Sequence, residues 1–567
     1  MILKKSPERE NLASAKRQAR LQKKKLKAEQ RKRAKVLRAQ KKTLEKSSAR
    51  SEKQIKKKRA PQKASDCLGF LAMYENGICE IEPGLYSMTL KFSDVNYQIA
   101  RREEQANIFT RYCELLNYCD PDMHLQINLV TQHMDRERFE QDMFFQMRQN
   151  DIDEYRQEMN KIIADKAMQG QNGLVREKFV TITVKADTYD SAAQQLARRS
   201  ADLKGSFKGL HSDASTLSGK QRLALLNAIL RPDTSFDFEY DWLLAENKLT
   251  TKDFISPSSF DWRPEHDDSR ATYNDRYAFG KKIGKTVFLR DIAPEMTDDL
   301  LSRLSELPFD LAIALHIDAV EQHDAVEMRQ EEADGMQRAV KQKLPAAMGI
   351  RYELSENIKN AEDLLDELVN RNQKLFKVAL MIHTYGNTNE ELDNRIKQIM
   401  SAVQKKTCKV DTLPFEQREA LNSILPLGKK CIGIERTLTT ANTAIFIPFT
   451  TQELFEPGGF YMGLNARSKS LLMFQRKNLA SPAGYVLGQP GSGKSMDVKL
   501  EIAQVMMGTD DDVIIIDPEG EYTPEVQAMG GQVVEISASS SRCSASLSLA
   551  AGVSLLPSAP TSTAQRA

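Results

Sequence analysis

The feature that most constrains this chain is a glycine-rich turn set between an apolar run and a helix-forming segment. Tyr485-Val486-Leu487 leads directly into Gly488-Gln489-Pro490-Gly491-Ser492-Gly493-Lys494-Ser495, which meets G-x-x-x-x-G-K-[ST] at every fixed position. Glycine lets the backbone turn tightly with its N–H groups aimed at an anion. A helix opened at Lys494 adds the positive end of its dipole. On this chemistry residues 488–495 form a cradle for ATP, Lys494 reaches the β- and γ-phosphates, and the Ser495 hydroxyl ligates Mg²⁺. The flanks extend the pattern. Residues 496–507 read as a helix stopped by Gly508, and Val513-Ile514-Ile515-Ile516 reads as a buried parallel strand ending in Asp517. Strand, loop, helix, strand and carboxylate make a βαβ unit, so an α/β RecA-like P-loop domain is predicted to start here. A carboxylate at that strand end lies where parallel sheets bind ligands, which makes Asp517 a candidate Mg²⁺ ligand. Glu519 and Glu521 are candidates to orient a water or meet the metal–phosphate region.

Charge divides the rest of the chain. The whole sequence carries +3, but residues 1–63 hold 25 Lys+Arg against 5 Asp+Glu, leaving 56 against 73 for the remainder. A uniformly basic nucleic-acid-binding protein is thereby excluded. The basic arm has no aromatic residue and too few apolar ones to form a core. Residues 14–59 lack Gly and Pro and are rich in helix formers, so the arm reads as a disordered tail or a solvated helix. It suits an anionic membrane surface or nucleic acid through charge alone. Seven scattered cysteines without a CxxC pair argue for a reducing compartment and against a zinc site. No apolar run is long enough to span a bilayer.

Residues 64–428 read as an α+β scaffold built by duplication, with copies over 86–204 and 286–405. The first copy is predicted to contain strands over 88–92, 125–130 and 179–184, helices over 101–117 and 191–203, and one long polar helix over 136–166. The second has strands over 286–290, 311–317 and 375–382, a helix over 297–307, helical sequence from 320 to 370, and a last helix opened by Thr388 with Glu391 at capping-box spacing. No catalytic set emerges. His124, His316 and His383 lie on or beside strands, where a satisfied structural histidine is the expected reading.

Four stretches in order narrow the family: Glu435-Arg436-Thr437-Leu438 with Pro448-Phe449; Tyr461-Met462-Gly463-Leu464-Asn465; the phosphate loop; and Asp517-Pro518-Glu519-Gly520-Glu521-Tyr522. Together they resemble the TraE/TrbE conjugal-transfer ATPases, the VirB-type traffic ATPases of type IV secretion. The resemblance implies an ATPase peripheral to the cytoplasmic face of a bacterial cell membrane. It also implies a homo-oligomer that touches conjugation-channel and inner-membrane subunits and energises channel assembly or DNA and protein export.

Residues 429–536 are expected to form an incomplete motor. Only 73 residues follow Lys494, and no second apolar strand ending in Asp-Glu appears among them. Residues 537–567 hold 10 Ser and 7 Ala with no acid and no aromatic, which reads as a low-complexity, frame-shifted tail of a truncated chain. Impaired hydrolysis follows from that reading. The alternatives are a non-catalytic membrane-associated scaffold of the conjugation channel and a DNA translocase of the FtsK/HerA type.

Overall fold

The computed structural model describes residues 63–133, 136–168, 174–241, 249–266, 269–292, 297–321, 323–324, 373–450, 456, 458–465, 471–479 and 481–534. The chain divides into two units, Met1–Cys67 and Leu68–Ala567. In the first, the described part is a 3-10 turn over Ala64–Cys67. The basic arm lies outside the described residues, as do 325–372 and 535–567.

In the second unit, thirteen strands form one sheet among the described residues, and every pairing is antiparallel. At its centre, six strands run in the order Leu85–Phe92, Leu174–Lys185, Met123–His133, Leu311–Ala319, Leu375–Gly386, Lys282–Asp291. In each copy the third strand lies between the first and the second. The two second strands then pair with each other, Leu315 opposite Ile127. The duplicated order read from the sequence thus closes into one sheet with an approximate two-fold axis.

Strict alternation sends the two faces of this sheet to different cores. Leu125, Ile127 and Leu129 with Leu311, Ile313, Leu315 and Ile317 pack under four helices, Arg102–Tyr118, Tyr189–Gly209, Leu300–Ser305 and Asn389–Gln404. Each such fully buried aliphatic side chain contributes about 1.5–3 kcal/mol. The helices that follow the third strands begin alike. Thr188 accepts the N–H of Ser191 at 3.3 Å, and Thr388 accepts that of Glu391 at 3.2 Å. The expected capping box at Thr388 is displaced by one residue, because the Glu391 carboxylate takes the N–H of Asn387 at 2.8 Å.

The opposite face is polar at its centre. Gln126 Nε2 donates to Ser423 O at 3.1 Å and Leu425 O at 3.0 Å, Asn128 Nδ2 donates to Ile424 O at 2.9 Å, and the Thr183 hydroxyl donates to Gly428 O at 2.6 Å. The backbone over 423–428 is therefore laid across the sheet by side-chain hydrogen bonds. Arg222, buried on the helix Gly219–Leu230, donates to Gly77 O, Ser87 O and Pro426 O at 2.8–3.0 Å, and so holds the same segment from outside. Burial lowers its pKa, and three carbonyl oxygens replace the water the guanidinium loses.

Three sequence expectations are corrected. The long helix over 136–166 is two helices, Arg136–Met143 and Asp153–Met168. Asp153, at the start of the second, accepts the N–H groups of Arg148 at 3.0 Å and Gln149 at 2.7 Å and so fixes the turn between the two helices, with Gln149 left-handed at φ 60°. The helix over 297–307 shortens to Leu300–Ser305. Residues 485–487 and 513–516 join no ladder. Tyr485, Leu487 and Ile516 are 92%, 89% and 93% exposed, because no described strand lies beside them to take their N–H and C=O groups. What surrounds the phosphate loop among the described residues is an antiparallel hairpin, Phe460–Leu464 with Leu471–Phe474, and the helix Lys494–Gly508. A RecA-like parallel sheet is not seen among them. No described helix is long and apolar enough to cross a membrane.

Candidate functional site

The phosphate loop takes the conformation its glycines permit. Gly491 and Gly493 are left-handed at φ 77° and 91°, a region that costs an L-residue roughly 1–2 kcal/mol. Gly493 is the N-cap of the helix Lys494–Gly508. Asp497 N donates to Gly493 O at 3.0 Å as the first helical bond, so the N–H groups of Lys494, Ser495 and Met496 open the helix without an intrahelical acceptor. Ser492 N closes a turn onto Gln489 O at 3.1 Å, and Lys494 Nζ donates to Gly488 O at 3.0 Å. A side chain at Gly488 would crowd Lys494, whose Cγ would lie 3.2 Å from the added Cβ. Residues 488–493, Pro490 included, are exposed, and Lys494 and Ser495 are partly buried. Orphan helix N–H groups, an ammonium folded over the loop and open solvent fit a polyphosphate, with the macrodipole adding to the attraction.

Three contacts fix the helix behind the loop. Gln504, fully buried, takes the N–H of Tyr461 at 2.7 Å and returns a hydrogen bond to Tyr461 O at 2.9 Å. Arg476 pairs with both oxygens of Glu501 at 2.7 Å, and those hydrogen bonds raise its pKa. Met507 sits in a buried cluster with Leu471 and Met473 of the hairpin and with Phe139, Met143, Met159 and Ile163.

Asp517 makes its hydrogen bonds within its own turn. Its Oδ1 accepts from Glu519 N and Gly520 N at 3.0 Å, and Oδ2 accepts from Tyr522 N at 2.8 Å. These backbone donors, Tyr522 first, hold its carboxyl below the usual range and close residues 517–522 into a turn. The turn rests on the second turn of the helix. Lys499 Nζ donates to Glu521 O at 2.9 Å and stands 5.2 Å from the centroid of the Tyr522 ring. Among the described residues, no hydrogen bond or ion pair joins Lys494 or Ser495 to Asp517, Glu519 or Glu521. Ser495 thus remains the one predicted Mg²⁺ ligand in the loop itself, and the phosphate part of the cradle is better provided than the metal part. A carboxylate the sequence did not single out, Glu525, follows the turn. Its Oε2 is buried without a partner, and burial raises its pKa.

The other residues missed by sequence reasoning are Gln504, Glu501, Arg156 and Arg148. Arg156 reaches Met507 O across 351 residues, and no local spacing announces such a contact.

Residues 467–566 match the family model described as "Helicase HerA, central domain". The match spans the phosphate loop and helix and runs on through residues 537–566. It points to a P-loop ATPase of the FtsK/HerA type, a group whose ligands are ATP and Mg²⁺. No curated protein matches the chain.

Proposed function

We propose that this chain is a subunit of an ATP-driven motor of the FtsK/HerA type that binds ATP with Mg²⁺ at residues 488–495 and acts on DNA. The observation that carries the reading is the family match over 467–566 coinciding with a loop whose left-handed Gly491 and Gly493 lead into a helix that opens with the N–H groups of Lys494, Ser495 and Met496 lacking an intrahelical acceptor. When bound, the nucleotide supplies a phosphoanhydride bond whose hydrolysis can drive motion. The chain's own residues bind and orient it. The N–H groups of Lys494, Ser495 and Met496 would hold the phosphates, Lys494 Nζ, now on Gly488 O, would supply a positive charge to them, and the Ser495 hydroxyl would hold the metal. Turnover is expected to be slow, because both Asp517 oxygens are already acceptors within their own turn.

A second reading, a conjugal-transfer traffic ATPase with inner-membrane channel subunits as partners, is favoured by one observation. The Asp517–Tyr522 segment that carries that resemblance is a closed turn seated on the phosphate-loop helix through Lys499. On either reading the complete assembly is a homo-oligomer, and the +20 arm supplies a contact to DNA or to the anionic inner face of the cell membrane.

Steady-state ATP turnover by the full chain, with and without duplex DNA, tests the choice. The motor reading expects DNA to raise turnover and Lys494→Ala to abolish it. Turnover unchanged by DNA would sink the DNA motor and leave the traffic ATPase.

A further inference from the structure

The C-terminal end of the phosphate-loop helix is held by the other half of the molecule. Arg156, 1% exposed, donates from Nε to Met507 O at 2.9 Å and from its Nη1 to Asn150 Oδ1 at 2.6 Å and to Asp153. Arg148 donates to Gly508 O at 3.3 Å and Thr509 O at 3.5 Å, and pairs with Asp510. Carbonyls at a helix C-terminus have no partner within the helix. Here three successive ones are taken by two guanidinium groups from a single short segment.

That segment is itself fixed. Asp153 accepts the N–H groups of Arg148 and Gln149 as well as the Arg156 guanidinium. Asn160 brackets Phe145, accepting its N–H at 2.8 Å and donating to its C=O at 2.9 Å. The Phe145 ring lies so close to Gly508 that an added Cβ would meet its Cε1 at 2.8 Å. Residues 136–168 connect the strands Met123–His133 and Leu174–Lys185, which are neighbours near the middle of the large sheet. The helix Lys494–Gly508 is a rod of 15 residues, about 22 Å long. Its N-terminal end is the phosphate loop, and its C-terminal end is the arginine clamp.

We infer that Arg156, acting with Arg148, is a positioning residue that couples occupancy of the phosphate loop to the antiparallel sheet. A helix drawn toward bound phosphates moves as a body, and its last carbonyls pull on the guanidinium groups. The displacement then enters residues 145–163 and the two central strands they join. This inference rests on the nucleotide reading proposed above.

Hydrogen–deuterium exchange of the full chain with and without ATP and Mg²⁺ tests it. The wild type should show slower exchange over 488–500 and, by at least about fivefold, over 145–163. Arg156→Lys keeps the charge but not the fork, and should retain the first effect while losing the second. Arg148→Ala, at a partly exposed position, should weaken the second effect even if Arg156→Lys fails to fold. Protection over 488–500 with none over 145–163 in the wild type, or equal protection over 145–163 in every folded variant, overturns the coupling and leaves nucleotide binding standing. No effect over 488–500 in the wild type overturns the nucleotide reading and the coupling with it.

Discussion

Replacing Gly428 by alanine should unlock the segment that crosses the polar face of the sheet. Gly428 is left-handed at φ 78°. Its N–H donates to Gln126 Oε1 at 2.7 Å, and its C=O accepts the Thr183 hydroxyl at 2.6 Å. An added Cβ would overlap Thr183 Oγ1 and stand 3.0 Å from Thr181 Cγ2 and 3.3 Å from Ser87 Cβ. The left-handed conformation costs alanine about 1–2 kcal/mol. Thr183 can relieve the overlap only by rotating away, which leaves Gly428 O as a buried acceptor without its partner, at about 1–3 kcal/mol. Because overpacking and the lost bond are one event, they are counted once, and the expected total is about 2–5 kcal/mol. Urea denaturation followed by tryptophan fluorescence is a suitable assay, since the ring of Trp262, one of the two tryptophans, packs 5.1 Å from Tyr277 on the same side of the sheet. Thr183→Ala removes the overlapping atom, so the double variant should be more stable than the summed single losses by about 1 kcal/mol. A loss for Gly428→Ala of no more than about 0.5 kcal/mol, the range of neutral surface changes, would refute the reasoning.

Two further outcomes follow from the buried polar groups. Arg222→Met takes the guanidinium donors from three buried carbonyl oxygens, of which Pro426 O keeps the Thr89 hydroxyl at 3.4 Å, but it also removes a buried charge, so a net loss of about 2–4 kcal/mol is expected in the same urea assay; an unchanged midpoint would show that the guanidinium holds nothing. Burial, helped by His124, pushes His316 down to about 3, and burial pushes His383 down to about 4. Because an unfolded histidine titrates near about 6.5, the unfolded chain binds more protons below that pH, and stability should fall as pH drops from about 6.5 through 4. His133, raised by its hydrogen bond to Asp310, works the other way, giving stability below about 6.5 that is lost as pH rises through its higher pKa. The two buried rings outweigh this single half-exposed one. Equal or greater urea midpoints at pH 5 than at pH 7.5 would contradict that balance.

The strands of the duplicated region were legible because alternation is a local property. Val180, Ile182 and Val184 face one core, while Thr181 and Thr183 face the polar layer. The pairing of Ile127 with Leu315 was not legible, since which strands become neighbours depends on packing between copies. The break between residues 143 and 153 was hidden for a different reason. Residues 136–166 contain no Gly or Pro, and the helix is interrupted by the Asp153 carboxylate competing for backbone N–H groups. In the candidate site, the glycines, Lys494 and the helix start were readable from spacing alone. Apolarity suggested buried strands at 485–487 and 513–516, but a strand requires a neighbour to pair with, and none of the described residues supplies one. The Gln504, Arg148 and Arg156 contacts join segments far apart in sequence, so they became visible only in three dimensions.

The most direct test of nucleotide binding is equilibrium dialysis of labelled ATP against the full chain, with and without Mg²⁺, for the wild type and Lys494→Ala. A charge-assisted contact contributes about 1.5–3 kcal/mol, so the variant should bind ~10–100-fold more weakly. Saturable, Mg²⁺-dependent binding of one nucleotide per chain, weakened by that factor in a variant with an unchanged circular dichroism spectrum, is the predicted result. No saturable binding by the wild type, or equal binding by both proteins, would contradict it.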